Sequence, residues 1–284
     1  MKGGQAVETI ESPEFMDEVV PVKPGGTLFV RSCRGTVDVR SHDAEQVRVE
    51  AEARGRRSDR VLFVLDTRDN DVRFDVRTEG WFLGMFGGVD VRVRVWVPRR
   101  FSVALRTSGG DARVDSITGD LDLHASGGDV TVTGIAGRVE LQTAGGSVDL
   151  ENIDGSVRVR SAGGNTELRD VYGDIDLRSA GGDLLIDGVD GSVRAKSAGG
   201  SAAVTFLGDA EGEITTAGGG IDVLVREEAS FALDAKSHGG KIELDLDLDK
   251  ERGAGSHHVS GRRGHKGQRL KLRAAGGGIR IGLL

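Results

Sequence analysis

Apolar residues recur along this chain in a fixed cadence. In one stretch they are Val130, Val132, Ile135, Val139, Leu141 and Ala144; in the next they are Val148, Leu150, Ile153, Val157, Val159 and Ala162. The steps run two, three, four and then repeat, so each 18-residue unit holds two halves of nine. A step of two places both residues of a pair on one face of a strand, and the apolar positions, the alanines among them, are expected inward. Gly-Gly pairs open at 109, 127, 145, 163, 181 and 199, always 18 apart, and later pairs open at 218, 239 and 276. Two short strands and two turns fill such a unit, whereas a βαβ unit needs about 30 residues. The spacing predicts an all-β fold, a parallel β-solenoid with 18-residue coils. The general crossover preference makes it right-handed. Its corners are the Gly-Gly pairs, where positive φ is allowed, and the glycines at 119, 137, 155, 173 and 191.

The regular pattern covers residues 106–284. Residues 1–14 read as a flexible N-terminus, and 15–105 as a β region of wider coils or hairpins that caps one end, as terminal repeats must. Alternating segments there include Val61–Leu65, Val72–Val76, Val91–Val97 and Phe101–Leu105. Residues 249–269 break the cadence and read as a flexible basic insertion. The cadence returns at Leu270, Leu272 and Ala275 and runs through Ile279 and Ile281.

Composition narrows the class. Of 284 residues 45 are glycine, and aromatics are only 4%, which suits a thin core of small side chains. Four prolines exclude collagen, and one cysteine excludes a disulfide scaffold. The formal charge of -7 gives no reason to expect nucleic acid. No signal-like apolar stretch or membrane span is present, which points to a cytoplasmic protein.

The outward positions form columns. One reads Asp122, Glu140, Arg158, Asp176, Arg194, and its neighbour reads His124, Gln142, Arg160, Arg178, Lys196. These are expected to be a solvated face with cross-coil pairing; a charged ligand platform is the functional alternative. Cys33 falls in an inward slot and reads as a small buried hydrophobe. Residues 80–88 carry Trp81, Phe82, Leu83, Met85 and Phe86 between glycines, an apolar cluster that either packs on the cap or meets a protein partner or a membrane surface. His257, His258 and His265 lie in the glycine-rich insertion without an ordered carboxylate or a cysteine beside them, so no metal is assigned. The chain finishes on Ile279, Ile281 and Leu283 with no gatekeeper. These are expected to form an open edge through which two copies associate.

Catalytic signatures are not found. No phosphate-binding loop or dinucleotide fingerprint occurs, and the glycine pairs lack the third glycine and inner Asp of calcium-binding coils. The carboxylate pairs Asp120/Asp122 and Asp174/Asp176 read as repeat decoration. No catalytic residue and no cofactor are assigned.

Three parts of the chain resemble the bacterial β-strand-repeat family of unknown function usually labelled "putative adhesin". They are Val22–Val30 with Gly35–Val39, then Val93–Pro98 leading into Ser108-Gly109-Gly110-Asp111, and the serial Ser-Ala-Gly-Gly coils ending in Gly276–Ile281. The resemblance covers roughly residues 15–284 and implies the solenoid fold. It also implies envelope-associated or stress-linked scaffold and binding roles without a catalytic motif. The expectation is a non-catalytic scaffold or binding module acting through protein contacts; the alternatives are a carbohydrate-active enzyme or a surface adhesin.

Overall fold

The computed structural model describes residues 8–32, 35–78, 89–265 and 267–284. It divides into two compact units, residues 1–143 and 144–284. Among the described residues no helix is long and apolar enough to cross a membrane.

Unit 1 contains β1 (Glu8–Pro13), β2 (Phe15–Pro21), β3 (Thr27–Ser32), β4 (Thr36–His42), β5 (Gln46–Gly55), β6 (Val61–Arg68) and β7 (Asp71–Thr78). It continues with β8 (Val89–Pro98), β9 (Ser102–Thr107), β10 (Ala112–Thr118), β11 (Leu121–Ala125), β12 (Val130–Ala136) and β13 (Val139–Thr143). One sheet runs β1-β6-β7-β3-β9-β11-β13 and the other β2-β5-β8-β4-β10-β12. The regular coils pair in parallel with an 18-residue offset, as in Val114↔Val132 and Leu123↔Leu141. Period-two alternation buries Leu121 and Leu123 while Asp122 faces out. The earlier strands include antiparallel partners, β1 on β6, β6 on β7, β2 on β5 and β5 on β8. Their core takes larger side chains. Phe63 and Phe74 are fully buried and stack at 5.9 Å, with Met16 and Leu65 also buried. The chain also doubles back here: β3 pairs in parallel with β7 on one side and β9 on the other, and β4 likewise with β8 and β10.

Unit 2 contains β14 (Val148–Asp154), β15 (Val157–Ser161), β16 (Thr166–Tyr172), β17 (Ile175–Ser179), β18 (Leu184–Asp190), β19 (Val193–Ser197), β20 (Ala202–Phe206) and β21 (Gly212–Thr216). It ends with β22 (Ile221–Val225), β23 (Phe231–Ser237), β24 (Ile242–Leu244), β25 (Lys250–Gly255), β26 (His258–Arg263), β27 (Gln268–Ala274) and β28 (Ile279–Leu283). Within this unit one sheet runs β15-β17-β19-β21-β27-β23-β26-β25 and the other β14-β16-β18-β20-β22-β28-β24.

Three ladders hold successive coils in register. At the glycine corner, Gly182 has φ +74° and a Cβ there would lie 2.0 Å from the Gly164 carbonyl oxygen, so both conformation and close approach demand glycine. Beside it, the residue after each glycine pair accepts a bond from the backbone one coil on. Asn165 Oδ1 takes the Asp183 N–H at 3.0 Å, and Asp183 Oδ1 takes the Ser201 N–H at 2.8 Å. Buried hydroxyls form the third ladder: Ser161 donates to the Gly163 carbonyl at 2.6 Å, and Ser179 donates to that of Gly181.

That last ladder corrects one inward assignment. Ala162 is exposed and Ser161 is buried, because period two continues from Val157 through Val159 to residue 161. The hydroxyl fits the inward slot because it finds a carbonyl to bond. The step of three also has a cause. Ser116, Gly134, Asn152, Asp170 and Gly188, 18 residues apart, all have positive φ between 52° and 78°, which puts one extra residue into each of those strands.

The C-terminal coil is not terminal in space. β27 lies between β21 and β23, and β28 lies between β22 and β24, all in parallel. The expected open edge is therefore already paired on both sides at Ile279 and Ile281, which are buried, whereas Leu283 pairs only with Val225 and is exposed. Its triglycine corner allows this, since Gly276 packs on the Gly218 carbonyl and Gly278 on that of Lys241. The segment 249–269, expected to be flexible, contains β25 and β26. They pair antiparallel, and β26 pairs antiparallel with β23, giving the backbone groups of that edge a partner.

Candidate functional site

The outer surfaces of unit 2 follow from strand alternation alone. With Val157 and Val159 inward, Arg158 and Arg160 must face solvent, and the same holds on every strand of that sheet. The strands β15, β17, β19, β21, β27 and β23 carry nine basic and three acidic side chains. The opposite strands, β14, β16, β18, β20, β22, β28 and β24, carry two basic and nine acidic ones. The two faces of unit 2 thus have opposite sign.

On the basic face the register aligns Arg160, Arg178, Lys196, Thr215, Arg273 and Lys236 in one row across six strands. Stacked strands lie about 4.8 Å apart, so the row spans about 24 Å. His258 of β26 is the next register partner beyond Lys236. Arg160, Lys196 and Lys236 are exposed and make no ion pair with any described residue. The neighbouring row alternates Arg158, Asp176, Arg194, Glu213, Lys271 and Asp234.

Carboxylates of that second row hold nearby cations in place. Asp234 receives Arg269 at 2.6 Å and Arg273 at 2.8 Å, with His258 at 3.7 Å. The hydrogen bond from Arg273 holds its carboxyl down to about 2, assisted by Arg269 and against the effect of burial. Glu213 is likewise lowered, chiefly by its 2.9 Å bond from Lys271.

All four carboxylates of the two candidate pairs have structural occupations. Asp120 Oδ1 accepts the Arg138 N–H at 3.0 Å, and Asp174 Oδ1 accepts both the N–H and hydroxyl of Ser192. Those bonds lower the Asp174 pKa. Asp122 meets His124 at 3.0 Å, and Asp176 meets Arg178 at 3.5 Å and Arg158 at 3.8 Å.

Unit 1 carries a smaller basic concavity of about 230 Å³ whose lining includes Phe29, Arg31, Arg73, Asp75, Arg106 and Asp122. The Arg73 guanidinium sits 5.5 Å from the Phe29 ring centroid. Trp81, Phe82, Leu83, Met85 and Phe86, the expected partner contact, and Cys33 lie outside the described residues. Among the described residues no group of three or more His, Cys, Asp or Glu could hold a metal ion.

A family model described as Toastrack DUF4097 matches residues 27–282. Solved structures to which the chain is similar include a "putative adhesin" from Bacteroides fragilis, 11% identical over 95% of this chain and 98% of that one, with a TM-score of 0.47. A "putative lipid binding protein" from Parabacteroides distasonis is 13% identical, covers 99% and 97%, and has a TM-score of 0.37. A "putative cell adhesion protein" from Clostridium sporogenes is 11% identical, covers 95% and 100%, and has a TM-score of 0.30. No curated protein matches the chain.

Proposed function

The chain belongs to the Toastrack DUF4097 family, and from that premise we propose that it is a non-catalytic scaffold that binds an acidic partner on the basic face of unit 2. The observation that carries this reading is the segregation of charge, nine basic to three acidic on one face and two to nine on the other. A solvated face that needed only solubility would intersperse both signs. A surface of one sign steers and selects partners of the other.

The non-catalytic part rests on the carboxylates. Acid–base chemistry needs a carboxyl free to exchange a proton with substrate. Asp120 and Asp174 are instead hydrogen-bonded to backbone or hydroxyl groups and Asp234 to two guanidinium groups, while Asp176 lies between the Arg178 and Arg158 guanidinium groups at 3.5 and 3.8 Å. The test compares capture from a host extract by the native chain and by a variant carrying Arg160→Glu, Lys196→Glu and Lys236→Glu. Retention of an acidic species by the native chain alone is the expected result. Equal retention by both, or turnover of a retained glycan, overturns the reading.

A further inference from the structure

Resting on that reading of the basic face, we infer that its ligand is a linear acidic polysaccharide, a 1,4-linked polyuronate, laid along the row Arg160, Arg178, Lys196, Arg273 and Lys236. The row is straight because parallel register places these residues as successive Cα partners, with Thr215 filling the remaining position. Its cations therefore repeat at the strand spacing, about 4.8 Å, perpendicular to the strands. A 1,4-linked uronate chain is extended and carries one carboxylate per sugar at nearly the same repeat. Successive sugars turn about the chain axis, so the carboxylates that face the sheet recur at about two strand spacings and meet alternate positions such as Arg160 and Lys196. The Arg160 guanidinium plane suits bidentate carboxylate binding.

The surroundings select among polyanions. Single-stranded nucleic acid is held by aromatic side chains on which bases stack. The strands that carry the row have one aromatic residue, Phe231, and it is fully buried. A linear polymer repeats its charge along one axis, as the row does, whereas a folded acidic protein meets such a row only where its own carboxylates happen to align. Electrostatic availability is also uneven along the row. Arg273 is held by Asp234 at 2.8 Å and Arg178 lies 3.5 Å from Asp176, whereas Arg160, Lys196 and Lys236 have no paired carboxylate among the described residues. Those three make the strongest contacts, and Thr215 offers a hydroxyl to the sugar over the position without a cation. The acidic opposite face repels the polymer, which confines it to one side of the unit.

The test uses the full chain and defined oligogalacturonates, with binding read by calorimetry. Affinity is expected to rise with oligomer length until the oligomer spans the six strands of the row, then level off, and to fall with added salt. Arg160→Glu, Lys196→Glu and Lys236→Glu together should weaken binding at least tenfold while the thermal midpoint stays near that of the native chain. Arg113→Glu, on the other sheet in unit 1, serves as a control and should leave binding unchanged. The inference is overturned if methyl-esterified galacturonate or a single-stranded oligonucleotide of equal charge binds as tightly, if the native chain does not bind, or if the triple variant binds equally well. Should oligogalacturonate fail while the triple variant loses an acidic protein captured by the native chain, this ligand is wrong and the scaffold reading stands. Failure of both removes both.

Discussion

The Nζ of Lys271 lies 2.9 Å from Oε1 of Glu213, although 58 residues of chain separate them. The pair joins β27 to β21 and marks the place where the C-terminal coil slots between two earlier ones. Both side chains are about one-third exposed, so the bond itself contributes about 1 kcal/mol or less. What holds the coil there is burial of Leu270, Leu272, Ala274, Ile279 and Ile281 and pairing of both backbone edges.

Two glycine substitutions in unit 2 separate this packing from conformational freedom. A Cβ on Gly277 would lie 2.4 Å from the Gly220 backbone nitrogen and 2.6 Å from its Cα, whereas on Gly181 the nearest atom is 3.7 Å away. Gly277→Ala is expected to cost at least about 2 kcal/mol. Gly181→Ala should be nearly neutral. In hydrogen exchange, the first should also release amides of β24 and β28; equal protection in the two variants refutes the intercalated order.

Asp234 makes stability depend on pH. Its folded-state pKa, about 2, lies below the ordinary value, so its contribution is present above about pH 4 and is lost as pH falls toward 2. Arg269 is largely exposed and screened, which limits the contribution to about 1 kcal/mol. Denaturant unfolding of Asp234→Asn should therefore show a deficit of that size at neutral pH that closes in strong acid. A constant deficit across the range would mean that the ion pairs are not its source.

The positive-φ column predicts an asymmetric response at Ser116. Its φ of 61° strains any L-residue, and Gly134 and Gly188 occupy the equivalent place elsewhere. Ser116→Gly is expected to stabilise unit 1 by about 0.5–1 kcal/mol. Ser116→Val, β-branched at a left-handed position, should destabilise it by more than about 1 kcal/mol. Thermal midpoints moving in the same direction would contradict this.

Face assignment is checked by two aspartates. Ile153 is fully buried in β14, and Arg158 is half exposed on β15. Ile153→Asp places a charge in a dry core and should cost several kcal/mol. Arg158→Asp should cost under about 1 kcal/mol. Equal melting of the two would invert the sheet.

Most of the basic face was legible before any coordinates. The column Arg160, Arg178, Lys196 and its alternating neighbour Arg158, Asp176, Arg194 follow from an 18-residue period and strand alternation. Its continuation was not legible, because Arg273 and Lys236 join the row only through the pairing of β27 with β21 and β23. Ala162 was read inward because apolarity was used as the sign of burial, whereas Ser161 buries by bonding its hydroxyl to Gly163.

The sequence by itself determined the coil: its length, its glycine corners, and which residues of Val157 to Arg160 alternate inward and outward. These are local properties, set by side-chain periodicity and by the φ each corner requires. Only the tertiary structure decided the order of the coils, setting Arg273 between Thr215 and Lys236 and removing Ile279 and Ile281 from the edge. Coils that share one register and the same glycine corners can stack on one another in many orders. The choice among those orders depends on which arrangement buries the most apolar surface and leaves the fewest strand edges unpaired, and that is a property of the whole unit, not of any repeat.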